Sequence, residues 1–257
     1  MYIINSIIYK YREYKKKFFH LTKEGKELKK LRNIHQGKRC FIIGNGPSLI
    51  CDDLDKLSIS NEISFAFNRI YHIFDRTNWR PTYYISQDEK LLSNSINEIS
   101  SISIKKKFIP IELKWDYNIK IKDALHFHLE HSNMNEKPAY SNNIAKGIIN
   151  SRTVVYSAIQ MATYMGIKEI YLIGVDHHFH TSMNNEGKII IDANAKDYFS
   201  EKYNNDKESL YIPNTEMSTL AFISAKEYAK THNINIYNAT RGGKLEVFPR
   251  INFDSLF

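Results

Sequence analysis

The stretch Arg39–Leu49, RCFIIGNGPSL, decides how the chain is read. Cys40–Ile43 form an unbroken apolar run that enters Gly44-Asn45-Gly46, the pattern of a strand buried on both faces and ending in a turn. Glycines at such a place let backbone N–H groups approach a phosphate closely. A G-x-G pair alone is a weak signal, however, and the stretch departs from the dinucleotide fingerprint. Leu49 stands where a third small residue belongs, Pro47 removes a donor, and no acidic ribose-binding residue follows at the usual distance. No GK[ST] occurs, which excludes a Walker loop.

Outward from this stretch, strand and helix signals alternate. ISFAFNRI (Ile63–Ile70) and PTYYISQD (Pro81–Asp88) are apolar runs ending in polar residues. RTVVYSAIQMATYMG places Val154, Val155, Ala158 and Ala162 on one side and stops at Gly166, the pattern of a helix with a C-terminal glycine. KEIYLIGVD (Lys168–Asp176) is a further strand, and STLAFISAKEYAKTHN followed by INIYNAT repeats the helix-then-strand order. This alternation predicts an α/β, Rossmann-like, mostly parallel sheet with helices on both faces over residues 39–257. Ser93–Ser103 and Met183–Ser209, rich in Asn and Ser, are expected to be loops, the second long enough to act as a lid.

Charge is concentrated at one end. Met1–Arg39 holds 12 of the 36 Lys and Arg but only 3 of the 28 Asp and Glu. Within it Ile4, Ile7, Ile8 and Tyr11 recur at helical spacing, followed by KKKFF and KEGKELKKLR. Residues 1–38 therefore form a basic amphipathic helical extension, either packed on the core or a partner, or lying on an anionic membrane surface. YIINSII is too short and polar for a signal peptide, and no small-residue cleavage site follows. The aromatics there belong to no recognisable nucleic-acid module, so no nucleic acid is expected. Mean hydropathy of -0.45 and strand-sized apolar runs argue against a membrane span. Two cysteines, Cys40 and Cys51, lack metal-type spacing and fit a reducing cytosol.

Open parallel sheets bind ligands at the carboxyl ends of their strands. The polar residues there are Gly44, Asn45, Gly46 and Ser48; Asn68 and Arg69; Ser86, Gln87 and Asp88; Asp176, His177 and His178; and Asn238 through Gly243, including Arg241. Arg241 and its glycines could bind an anion or simply form a turn. Asp176 could cap a turn or hold a ligand. The H-H-x-H cluster lacks the further Cys or His residues that would complete a metal site, leaving substrate contact or a structural role.

FIIGNGPSL, FAFNRIY, IKEIYLIGVD and the ending NATRGGKLEVFPRINFDSLF resemble the 6-hydroxymethylpterin pyrophosphokinase (MptE)-like family, over roughly Arg39–Phe257. GNGPSL and KEIYLIGVD also resemble bacterial lipooligosaccharide sialyltransferases, which use CMP-sugars on a Rossmann-like fold without a metal. That resemblance implies donor-nucleotide contacts at Gly44–Ser48, Asn68 and near Ser86, with Thr153 near the cytidine end. Where those enzymes place phosphate-binding tyrosines, this chain has His177-His178-Phe179-His180, and Glu216 stands opposite their catalytic histidine.

Two enzyme classes follow. The first is a glycosyltransferase using a nucleotide-activated, CMP-linked sugar and a glycan acceptor in surface polysaccharide synthesis. It would work at the cytoplasmic face of a membrane, needing no cofactor, with His178, Glu216 and Asp176 as catalytic groups and Arg241 beside the nucleotide phosphate. The second is a 6-hydroxymethylpterin pyrophosphokinase using ATP and Mg2+, with Asp88 and Asp176 as metal ligands. A non-enzymatic nucleotide-binding assembly factor is the third reading.

Overall fold

The computed structural model describes residues 2–104, 106–133, 136–204 and 210–257, with side chains from residue 10 onward except that of residue 204. Helix α1 (Tyr2–Lys17) and the shorter α2 (Lys23–Lys29) precede strand β1 (Arg39–Ile43). Helix α3 (Cys51–Ile59) leads to β2 (Ser64–Phe67) and β3 (Tyr83–Ile85); α4 (Glu89–Asn94) and α5 (Ile96–Ser101) precede β4 (Lys106–Pro110). Next come α6 (Ile111–Asp116), β5 (Ala124–Phe127), β6 (Leu129–His131), β7 (Ile148–Asn150), α7 (Val154–Tyr164) and β8 (Glu169–Ile173). A hairpin of β9 (Thr181–Met183) and β10 (Ile189–Ile191), a single turn α8 (Glu201–Asn204), the long α9 (Thr215–Thr231) and β11 (Asn235–Asn238) complete the α-helices and strands of the described residues.

Seven strands form one sheet in the order β11-β8-β1-β2-β3-β4-β5, every neighbouring pair parallel. The expected α/β fold is therefore present. Successive strand residues face opposite sides, so Cys40 and Ile42 join one apolar cluster with α7 and α9, while Phe41 and Ile43 join another with α3. Burial of both faces explains why β1 and β8 read as continuous apolar runs rather than as alternating ones. From β1 the chain builds outward through β2, β3, β4 and β5, then returns to lay β8 on the other side of β1. The reversal between β1 and β8 opens a crevice at their carboxyl ends.

Two expectations change. Ser93–Ser103 is not a loop: α4 and α5 bury Leu91, Leu92 and Ile99 completely, an apolar spacing hidden among serines and asparagines. Within Met183–Ser209 the described part contains β10 and α8, and residues 205–209 lie outside the described residues. In β10, Ile189, Ile190 and Ile191 are all exposed.

The N-terminal segment is helical, and its later part enters the main core. Phe19, Leu28 and Leu31 are buried with residues of β1, β2 and α7. The side chains of the expected stripe Ile4, Ile7 and Ile8 lie outside the described residues. Arg12 pairs with Asp116 at 2.9 Å, tying α1 to α6. At the other end of the chain, Arg39 Nη1 donates to the Leu256 carbonyl at 3.3 Å, and the Phe257 ring stacks on Phe41. Among the described residues, no helix is long and apolar enough to cross a membrane.

Candidate functional site

A cavity of about 470 Å³ occupies the crevice, within the size range of small-molecule sites. Its walls come from the carboxyl ends of five neighbouring strands: Gly44–Gly46 after β1, Asn68 after β2, Asp88 after β3, Glu112 after β4, and Asp176 with His178 after β8. Thr153, at the start of α7, closes another side. Residues as far apart in sequence as Gly44 and His178 are thus brought together because parallel strands deliver their ends to one edge.

The glycines do something other than the sequence implied. Gly44 N–H donates to the Ile173 carbonyl at 2.7 Å, and Gly46 N–H donates to the Gly174 carbonyl at 2.9 Å. Both donors are consumed by the β8 loop, so the expectation that these N–H groups meet a phosphate is corrected. A Cβ on Gly44 would collide with the Gly174 carbonyl, and one on Gly46 with the Asp176 carboxylate. Absence of side chains is what lets the two loops touch. Ser48 does not line the cavity; its hydroxyl donates to Asp176 Oδ2 at 2.7 Å and anchors that carboxylate. Burial pushes the Asp176 carboxyl above the ordinary carboxylate range, and the Ser48 bonds only partly offset this.

Asn45 and Asn68 shape the opposite wall. Asn45 Nδ2 donates to the Phe67 carbonyl at 3.1 Å, while its Oδ1 is buried without a hydrogen-bond donor among the described residues. Native structures contain few such orphans, and a cavity wall is a place where a ligand can supply the donor. Asn68 takes a left-handed backbone (φ 49°), which asparagine tolerates better than most residues. Ser86, fully buried and outside the lining, donates to Asn68 Oδ1 at 3.0 Å and the Tyr84 hydroxyl donates to the Asn68 carbonyl at 2.7 Å. Asp88 caps α4 by accepting from Leu91 N at 3.0 Å, and burial raises its pKa. Thr153 is the N-cap of α7 but makes no side-chain cap bond. The N-terminus of this 11-residue helix borders the cavity, a setting favourable to anions.

The two histidines after Asp176 differ sharply. His177 has a left-handed backbone (φ 55°) and an edge contact with Phe222. Its Nε2 lies 2.8 Å from Thr219 Oγ1, which itself donates to the Thr215 carbonyl. The imidazole must then donate from Nε2, leaving Nδ1 as its acceptor. Burial pulls the His177 pKa down to about 4, so the ring is neutral near pH 7. His178 lies at the cavity with Nε2 2.7 Å from Asp192 Oδ2 and 3.1 Å from Lys244 Nζ. That nitrogen donates to the carboxylate or accepts from the ammonium, one partner at a time.

Two expected site residues lie elsewhere. Glu216 is exposed in the first turn of α9, accepts from Asn185 N at 2.9 Å, and does not line the cavity. Arg241 also stays outside: its guanidinium is taken up by Asp53 at 2.8–2.9 Å and by Asp254 at 2.8–2.9 Å, a clamp from α3 to the C-terminal residues. Among the described residues no three His, Cys, Asp or Glu side chains are grouped to hold a metal ion, while Asp88 and Asp176, the two carboxylates expected to hold Mg2+, both line the cavity. Sequence reading missed Arg152, Tyr198 and Tyr203, all at the cavity. Tyr198 and Tyr203 stack at 3.9 Å, and the guanidinium of Arg69 lies over the Tyr203 ring. The sequence signal for the two tyrosines is a cluster of three aromatics, Tyr198, Phe199 and Tyr203, among polar neighbours.

The chain is a doubly wound, parallel α/β domain with its cavity at the reversal of strand order. The chain belongs to the 6-hydroxymethylpterin diphosphokinase MptE-like family, whose sequence model matches residues 13–182. The match starts within α1 and stops before the C-terminal stretch that carried part of the sequence resemblance. Comparison by sequence with curated proteins finds no match. In fold, the chain is similar to the MAf glycosyltransferase from Magnetospirillum magneticum AMB-1, with a TM-score of 0.52 and 14% identity over 88% of this chain. It spans 35% of the length of that protein.

Proposed function

We propose that the protein is a glycosyltransferase that takes a nucleotide-activated, CMP-linked sugar in the β1/β8 cavity and passes the sugar to a glycan acceptor in polysaccharide synthesis. The observation that carries this reading is the meeting of an imidazole, His178, with the start of α7 at one cavity walled by Asn45, Asn68 and Thr153. The fold likeness to a glycosyltransferase supports it. The N-terminus of α7 would hold the nucleotide phosphate, and Asn45 Oδ1 would accept from a base or sugar N–H or O–H. His178 would take the proton of the acceptor hydroxyl as its oxygen bonds to the anomeric carbon and the nucleoside monophosphate leaves. Asp192 would steady the imidazolium so formed. This reading asks for no metal, and the basic α1 would lie on an anionic membrane at its cytoplasmic face, bringing the cavity to the acceptor.

A thermal-shift screen of nucleotides tests it. A ligand at 100 times its Kd stabilises by about 2.7 kcal/mol, roughly 5–10 °C for a domain of this size. Stabilisation by CMP or a CMP-sugar, unaffected by EDTA, is the expected result. The family description favours a second reading, diphosphate transfer from ATP to a hydroxymethylpterin. Stabilisation and turnover only with ATP, a pterin and Mg2+ would establish that reading instead.

A further inference from the structure

Behind the cavity, and sharing His177 with it as a common wall, lies a second depression of about 540 Å³. One side is a stripe of α9 in which Thr219, Ile223, Lys226 and Lys230 follow one another at helical spacing. The other side is the segment Lys244–Val247. Leu245 and Val247 face Ile223 across an apolar floor, with Leu245 almost fully buried.

The charges around this floor are unbalanced in a specific way. Its two carboxylates are engaged by cations that do not line it: Glu227 by Lys137 at 2.6 Å and Glu246 by Arg250 at 2.7 Å. Lys226, Lys230 and Lys244 remain, none in an ion pair among the described residues, although His178 and, to a lesser degree, Lys244 hold the nearby Asp192 carboxyl below the usual carboxylate range. Lys226 and Lys230 are one helical turn apart, so a single anionic group can meet both, while Lys244 reaches toward His178 at the cavity edge. Three ammonium groups over an apolar floor fit neither a bare anion nor a neutral hydrocarbon.

We infer that this groove binds a phosphate-bearing lipid-like amphiphile, its phosphate held by Lys226, Lys230 and Lys244 and its chain laid over Ile223, Leu245 and Val247. The inference extends the proposed function, because such a groove would present an amphiphilic acceptor to the cavity from the His177 side. Its binding is independent of any donor, so the two can fail separately.

Titration calorimetry with dodecyl phosphate, kept below its micelle concentration, tests this. Dodecyl phosphate should bind the full chain at least about tenfold more tightly than inorganic phosphate, since an apolar contact of this size adds at least 1.4 kcal/mol. Lys226→Glu with Lys230→Glu should weaken it by about tenfold or more, as loss of charged contacts does, and Lys226→Gln with Lys230→Gln by less. Both pairs are on exposed helix surface, and circular dichroism checks that they fold. Nucleotide affinity should not change in either double variant. Equal binding of inorganic and dodecyl phosphate, unchanged affinity in the charge-reversed variant, displacement of dodecyl phosphate by nucleotide, or preference for an acidic peptide would each overturn the inference. Lysine-dependent binding of dodecyl phosphate in a protein that binds no nucleotide would sustain the groove and sink the donor assignment.

Discussion

His178 Nε2 lies 2.7 Å from Asp192 Oδ2, which ties the loop after β8 to the chain leaving the β9/β10 hairpin. A cavity residue is thereby oriented by a carboxylate from a segment that does not itself line the cavity.

If His178 handles the acceptor proton, His178→Ala should lower kcat by a factor of about 100 or more, with little change in nucleotide affinity. Asp192→Asn keeps a partner for the imidazole but not the charge, and should cost less, about tenfold. Steady-state kinetics alongside calorimetric nucleotide binding separates the outcomes. A drop in affinity equal to the drop in rate would show that His178 only binds.

Gly46→Ala should destabilise the fold by about 1–3 kcal/mol, the usual range for inserting an atom into packed space. The new methyl group meets the Asp176 carboxylate. Asp176→Ala in the same chain should recover part of the loss. Urea melts of the four proteins in this cycle give the coupling, and strict additivity would show that the two loops do not press on one another.

Acid should unfold the protein through His177. Its pKa falls from 6.5 unfolded to about 4 folded. The unfolded chain therefore binds the extra proton in this window, and stability is lost as pH falls from about 6.5 toward 4. The full shift corresponds to about 3 kcal/mol at most. Asp176 and Asp88 act oppositely: their raised pKa values favour the folded state below the unfolded carboxylate value, and that contribution is lost as pH rises through the folded one. His177→Asn, which suits the left-handed backbone, should flatten the acid limb of a stability-versus-pH curve. An unchanged slope would mean that other groups dominate.

Removing Met1–Lys17 should leave the fold intact, because Phe19 and Leu28 are kept in the core. Removing residues through Lys30 should unfold it. If α1 docks on membranes, the shorter truncation should abolish co-sedimentation with anionic vesicles at about 0.1 M salt, where attraction still reaches about 10 Å. Retained sedimentation would assign the attraction to another surface.

Much of this architecture is legible in the residues. β1, β2, β3, β8 and β11 announce themselves as apolar runs, and α7 and α9 by period and stop signals. β4 and β5 do not: one opens on Lys106 and Lys107, the other is the four-residue ALHF, too short to show a period. The cavity residues at strand ends follow from topology alone, which is why Asn45, Asn68, Asp176 and His178 were readable. Glu216 and Arg241 were not, since their destinations depend on which loop packs beside a helix or a tail. The glycines stand at the expected edge of the sheet, but their missing side chains serve the close approach of a neighbouring loop.

The contacts of Arg39 and Phe41 with Leu256 and Phe257 have a consequence for how the protein is made. β1 forms the middle of the sheet, yet it bonds to a carbonyl 217 residues further along. Its other neighbour, β8, also arrives more than a hundred residues later. During translation the central strand, apolar on both faces, must wait more than a hundred residues for β8 and 217 for the Leu256 carbonyl. Contacts so distant in sequence slow folding and prolong exposure of sticky surface. The nascent chain should therefore depend on chaperones far more than the finished fold does on any partner.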